Sequence, residues 1–316
     1  MPAATARTAL DAIERLRGNI ERVFIGNREA VDRLVVCLLA RGHILIEDVP
    51  GVGKTVLATA LAKSIDCSFS RIQLTPDMLP SDVLGVSIYD RDTGVFNFKR
   101  GPIFAHIVLA DEVNRTTPRT QAALLESMNE ATVSVEGKVL ALDQPFIVIA
   151  TQNPYEFEGT YMLPENQLDR FLMQIHLGYP SPADEARVIE TRPGEATLHN
   201  LGAVLSREDV LRLQSEADRV RLDRTLVDYI IAIATATRSN NELQIGLSPR
   251  GTVALSLAAR ATALLNGRDY CIPEDVYTNV EAVAGHRVVP RAAISNDSAA
   301  GRRIIADVMR TVPAPV

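Results

Sequence analysis

Residues 43–55, HILIEDVPGVGKT, turn an apolar run into a loop carrying Pro50, Gly51 and Gly53, and end on Lys54 and Thr55. A buried strand that feeds a glycine-rich turn and then a helix start aims backbone N–H groups and the positive end of the helix dipole at one point, where an anion can sit. In the phosphate-loop pattern GxxxxGK[ST], the lysine reaches the outer phosphates and the following hydroxyl ligates Mg2+. Those positions are Lys54 and Thr55. The opening glycine of the pattern is replaced by Asp48, while the kernel GVGKT is intact.

On the amino-terminal side of the loop, Leu10, Ile13, Leu16 and Ile20 recur at helical spacing and predict an amphipathic helix. Asn27 is placed to cap a second helix over 27–41, with Val31, Leu34, Val35 and Leu38 on one face. Beyond the loop, a helix over 54–65 and a strand over 69–74 complete a strand, helix, strand unit, which implies a parallel sheet. Two short β-like runs at 86–89 and 95–98 predict a hairpin, and 132–142 predicts another around Glu136, Gly137 and Lys138. The run 103–110 is expected to be a strand covered on both faces and adjacent to the cradle strand. A helix over 121–130 and a buried strand over 146–150 follow.

Gly178, Pro180, Pro182, Pro193 and Gly194 break the pattern, so a domain boundary is expected near Tyr179. Beyond it, Ser181 with Asp184 and Ser206 with Asp209 read as capping boxes, Ser248 before Pro249 as a cap, and Gly267 as a helix stop. The expected fold class is α/β: a parallel sheet sandwiched by helices over 1–179, then a small all-α domain over 180–316.

With 316 residues, 47% of them hydrophobic, the chain can bury one large core and a smaller one. The net charge of −6 is spread without a basic tail or stripe, which argues against generic polyanion binding. Cys37, Cys67 and Cys271 form no CxxC pair, so reduced thiols in a cytoplasmic setting are expected rather than a disulfide frame or zinc knuckle. His43, His106, His176, His199 and His286 have no HExxH spacing. Neither a signal peptide nor a run of membrane-spanning length is expected.

The partners of the cradle decide the chemistry. Asp111 and Glu112 close a buried run, which places Asp111 to hold the metal and Glu112 to deprotonate an attacking water. Asn153, in ATQNP, could position that water, although asparagine before proline is also a common turn former. Arg170 and Arg250 taken singly are ordinary surface arginines.

Their order in the chain is more telling. LIEDVPGVGKT, LADEVNRTTPRTQAALLESMNE, IATQNP, LPENQLDRFL and LSPRG follow one another so that the protein resembles AAA+ ATPases of the MoxR group over nearly its whole length. The resemblance implies a P-loop AAA+ core followed by a helical lid. It implies ATP and Mg2+ held by Ile25 and Gly26 on the adenine side, by Asp48, Val49, Pro50, Gly51, Val52, Gly53, Lys54, Thr55 and Val56 in the cradle, and by Thr55 and Asp111 at the metal. Asn153 would be sensor 1, Arg250 sensor 2 reporting from the lid, and Arg170 the finger inserted into a neighbouring subunit's site, with Arg115 as the alternative arginine in trans. The hairpins are similar to the insertions of the clade shared with magnesium chelatase and the MCM helicases. A homo-oligomer, a hexameric ring, acting with a von Willebrand A domain partner on a client protein is the implied assembly, and its work a chaperone-like remodelling or cofactor insertion. The rival is a nucleic-acid motor or a chelatase-like subunit. Against a nucleic-acid role, the hairpins carry the mixed set Asp90, Arg91, Asp92, Glu136 and Lys138.

Overall fold

The computed structural model describes residues 3–154, 159–191, 198, 200–291 and 298–315; Pro193, Gly194 and His199 lie outside them. Two helices open the chain, α1 (Ala3–Glu21) and α2 (Arg28–Leu39), and the Asn27 side chain caps the second by accepting the Glu29 N–H. Strand β1 (Ile44–Glu47) feeds α3 (Lys54–Ser64), followed by β2 (Ile65–Asp66), β3 (Phe69–Gln73) and α4 (Pro80–Leu84). A hairpin of β4 (Gly85–Asp90) and β5 (Val95–Arg100) precedes β6 (Ile107–Asp111) and α5 (Pro118–Glu130). A second hairpin, β7 (Thr132–Val135) and β8 (Lys138–Ala141), leads to β9 (Ile147–Gln152), α6 (Glu165–Leu168) and β10 (Met173–Ile175). The remainder is mainly helical: α7 (Pro182–Thr191), α8 (Arg207–Arg219), α9 (Arg224–Arg238), α10 (Pro249–Leu265), α11 (Pro273–Ala284) and α12 (Ser298–Thr311), with short strands β11 (Leu205–Ser206), β12 (Leu243–Ile245) and β13 (Val289–Pro290).

Five strands make one parallel sheet in the order β10, β1, β9, β6, β3. Every residue of β1, β6 and β9 is buried, as strands covered on both faces must be. The twofold alternation of side chains sorts them into two apolar layers. Ile44, Ile46, Leu109 and Ile149 pack with α1 to α3, while Leu45, Val108 and Val148 pack with Leu124, Leu125 and Phe171.

Two expectations are corrected. The acidic strand β6 is not adjacent to the cradle strand: β9 lies between them, because the crossover from β1 through α3 places β3 at the far edge and the later strands fill the gap. The run expected as one strand over 103–110 begins instead as a 3-10 turn, Pro102–Phe104, since Pro102 fixes φ and supplies no N–H; the strand starts at Ile107. Both hairpins form where the turn residues predict them.

The later helices are capped as the sequence indicates. Ser206 and Asp209 exchange side-chain to backbone bonds, and Ser248 accepts the Gly251 N–H with Pro249 in the first turn. These helices pack on one another, α10 against α8, α9 and α11, and α12 against α9 and α11, as the expected helical domain requires, and they also pack on the first domain. α8 and α10 pack on α2, and the apolar side chains of α8 to α12 are continuous with those of α1 to α3. α11 packs beside the edge strand β10 and blunts that edge.

Candidate functional site

The carboxyl ends of the parallel strands define one rim of the sheet, at Glu47, Gln73, Asp111 and Gln152. Open α/β sheets take their ligands there. The loop after β1 turns through Gly51 at φ 87° and Gly53 at φ 95°, left-handed conformations that a side chain disfavours, and α3 begins at Lys54. The Lys54 ammonium donates to the carbonyls of Asp48 at 2.5 Å and Gln152 at 3.0 Å. Burial pulls its pKa below the usual lysine value, against the opposing charges of Asp48, Asp111, Glu112 and Glu47.

Asp48 explains its own departure from the pattern. Its Oδ1 accepts the Val49 N–H, and its Oδ2 accepts the N–H groups of Leu177 and Gly178, each at 2.8 Å. The carboxylate therefore ties the cradle to the segment after β10. On the other flank, a Cβ added at Gly53 would lie 3.4 Å from the Phe24 ring, so the turn containing Ile25 and Gly26 runs beside the cradle.

Thr55 Oγ1 lies 3.4 Å from Asp111 Oδ2, even though β6 is two strands from β1. Two oxygen donors from a hydroxyl and a carboxylate are the hard set that Mg2+ takes, so the residues fit that ion. The other carboxylate oxygen, Oδ1, accepts from Thr151 Oγ1 at 2.6 Å, and Thr151 in turn accepts the Glu112 N–H at 2.9 Å. Glu112 holds φ 59°, ψ 52°, a left-handed conformation costing on the order of 1 kcal/mol in a non-glycine residue. Its Oε2 accepts from Gln73 Nε2 at 2.9 Å and pairs with Arg115 Nε at 3.1 Å. Asn153 is buried at the end of β9, and its carbonyl accepts from Asn114 Nδ2 at 3.1 Å.

Arg170 and Arg250 are not at this rim. His43, just before β1, marks the opposite, amino rim: its carbonyl accepts the Leu172 N–H, and its Nε2 bonds the Met128 carbonyl near the end of α5. Arg170 sits two residues before Leu172. Its Nη1 is buried without a hydrogen-bond partner among the described residues. Arg250 Nη2 donates to Asn129 Oδ1 at 2.7 Å, one residue beyond Met128. Arg287 joins them through a 2.8 Å bond to Asp169, with a pKa lowered to about 10 by burial against the opposing pull of that carboxylate. Arg250, the lid arginine, thus lies across the depth of the sheet from Lys54 and Thr55 of its own chain, on the order of 10 Å for a four-residue strand. Arg115, by contrast, is engaged in cis with Glu112.

The sequence reading missed three neighbours of the two carboxylates, Thr151, Arg71 and Gln73, which bond Asp111 or Glu112. Arg71 Nη2 reaches Asp111 Oδ2 at 2.7 Å. The alternation Arg71, Gln73 at the end of a strand was the available signal, since it puts both side chains on one face.

Comparison with known proteins agrees with this fold. The family described as "ATPase family associated with various cellular activities (AAA)" matches residues 43–173, and an AAA lid domain matches 235–308. The chain is 47% identical to YeaC of Bacillus subtilis over 94% of its length and 93% of that protein. It is 41% identical to the chaperone MoxR1 of Mycobacterium tuberculosis over 96% of its length and 82% of that protein. A crystal structure of a provisionally assigned ATPase from Cytophaga hutchinsonii superposes with a TM-score of 0.88 at 37% identity, covering 98% of this chain and 97% of that one.

Proposed function

Because the chain belongs to the MoxR family of AAA+ ATPases, we propose that it hydrolyses ATP to ADP and phosphate and uses the cycle to remodel, assemble or load a client protein. The observation that carries this reading is the convergence of Lys54, Thr55, Asp111 and Glu112 at one rim of the sheet. Phosphoryl transfer is catalysed chiefly by positioning and charge neutralisation. The loop N–H groups and Lys54 hold the β- and γ-phosphates. Bound between Thr55 and Asp111, Mg2+ would supply charge neutralisation on those phosphates. Glu112 takes the proton of the attacking water onto a carboxylate oxygen, and the Asn153 amide orients that water. For this, Glu112 must release Gln73 and Arg115.

Arg170 and Arg250, on the far rim, serve the cradle of a neighbouring subunit in a ring. An arginine supplied in trans contributes ~10³ to 10⁵ in rate. A hexamer acting with a von Willebrand A domain partner, in the cytoplasm, is the assembly we favour. The three described cysteines are unpaired, and among the described residues no helix is long and apolar enough to cross a membrane. The test uses two variants. Lys54→Ala is expected to lose nucleotide binding by calorimetry, whereas Glu112→Gln binds ATP and releases no phosphate. Turnover by Glu112→Gln at the wild-type rate would remove the general base and with it the reading.

A further inference from the structure

Asp111 Oδ2 is the carboxylate oxygen that faces Thr55, and it is therefore the oxygen a metal would use. In this structure a cation already touches it: the Arg71 guanidinium, 2.7 Å away. Arg71 and Gln73 project from the same face at the end of β3, whose register sets Gln73 opposite Asp111. Arg71 Nη2 also donates to Gln73 Oε1 at 3.3 Å, and Gln73 holds Glu112. One face of one strand thus engages both acidic residues of the site.

The pairing has an electrostatic reason. Lys54 is turned onto two main-chain carbonyls, which leaves the adjoining carboxylates Asp111 and Glu112 in need of counter-charge. Arg71 provides it to Asp111, and Arg115 to Glu112. The Asp111 side chain is 10% exposed, so its partner is worth more than an ordinary surface ion pair, whereas the Arg71 side chain is 51% exposed and has water to swing into. We propose that Arg71 is the counter-ion of Asp111 in the nucleotide-free protein and competes with Mg2+ for Oδ2, so that it sets the Mg2+ concentration at which nucleotide is captured. Arg71 is here a positioning residue that acts through Asp111, and the inference rests on the ATPase reading above.

The test is binding of a fluorescent ADP analogue by the full chain, titrated with Mg2+ and repeated in EDTA. Arg71→Ala and the more nearly isosteric Arg71→Gln remove the competitor. The half-saturating Mg2+ concentration is expected to fall about threefold to tenfold, as loss of one charge-assisted contact implies, while affinity in EDTA stays as in the wild type. Arg71→Lys, which keeps the charge, returns the Mg2+ requirement toward the wild-type value. An unchanged or raised requirement in both neutral variants overturns the proposal and leaves the ATPase reading intact. A loss of affinity in EDTA makes Arg71 a phosphate ligand instead, and overturns it too. Failure of wild-type protein to bind nucleotide under either condition overturns both.

Discussion

Asp48 occupies a position where a glycine normally lets the phosphate loop turn without hindrance. Three N–H groups converge on its carboxylate, and two of them come from residues 129 and 130 positions further along the chain. That the position is irregular is legible in the sequence; what the aspartate does there is not, because its partners meet it only once β10 lies beside β1. The bonds lie at a partly exposed rim, so their joint contribution is discounted to about 2 kcal/mol. Asp48→Ala should therefore lower the melting temperature by roughly 3 °C. Asp48→Asn, which keeps an acceptor oxygen, should lose less. Calorimetric melts of both variants decide the matter: equal stability of wild type and Asp48→Ala would show that the tether contributes nothing. Arg71 and Gln73 were hidden for the same reason, since an arginine and a glutamine alternating on a strand gain meaning only when β6 brings Asp111 and Glu112 to them.

At the scale of elements, His43 fastens three of them at the amino rim. Its Nδ1 accepts the Val148 N–H of β9 at 2.9 Å, which fixes the tautomer in which Nε2–H donates to the Met128 carbonyl of α5 at 3.0 Å. Burial lowers its pKa from 6.5 to about 4. The folded protein holds the imidazole neutral, while the unfolded chain begins to take up a proton below about pH 6.5. The contribution is consequently whole above that pH and shrinks as the pH falls toward 4, where about 3 kcal/mol has been lost. Urea unfolding at pH 7 and pH 5 should show His43→Gln less stable at neutral pH but less sensitive to acid than the wild type; parallel losses in the two proteins would dismiss His43 as the titrating group. The existence of β1, β6, β9, α5 and both hairpins was legible because alternation, apolar runs and turn residues are local signals. The order of strands was not. Neighbours in a parallel sheet are chosen by crossovers that no local pattern records, and so the acidic strand was expected one place too close to the cradle.

Across the whole molecule, the two rims divide the chemistry. One carries the cradle, the carboxylates and Asn153, and the other carries Arg170, Arg250 and Arg287 around Asp169 and Asn129. Sequence order could place Arg170 and Arg250 in the chain but could not say on which side of the sheet they fall, because each is brought to the amino rim by long-range contacts through Leu172 and Asn129. The proposed completion of the site by groups from opposite rims requires a head-to-tail contact between subunits, the kind that closes into a ring. Lys54→Ala subunits keep the arginine rim but lose the cradle lysine, and Arg170→Ala subunits keep the cradle but lose the proposed finger. Each variant alone should hydrolyse ATP at no more than a thousandth of the wild-type rate or so, the lower end of what a trans arginine supplies. Mixed in equal amounts with free exchange of subunits, they should regain about a quarter of wild-type turnover, since one interface in four then pairs an intact cradle with an intact Arg170. Phosphate release from the mixture is the measurement. A mixture as inactive as its parents, with exchange verified by labelled subunits, would place Arg170 in its own subunit's service and remove the geometric reason for a ring.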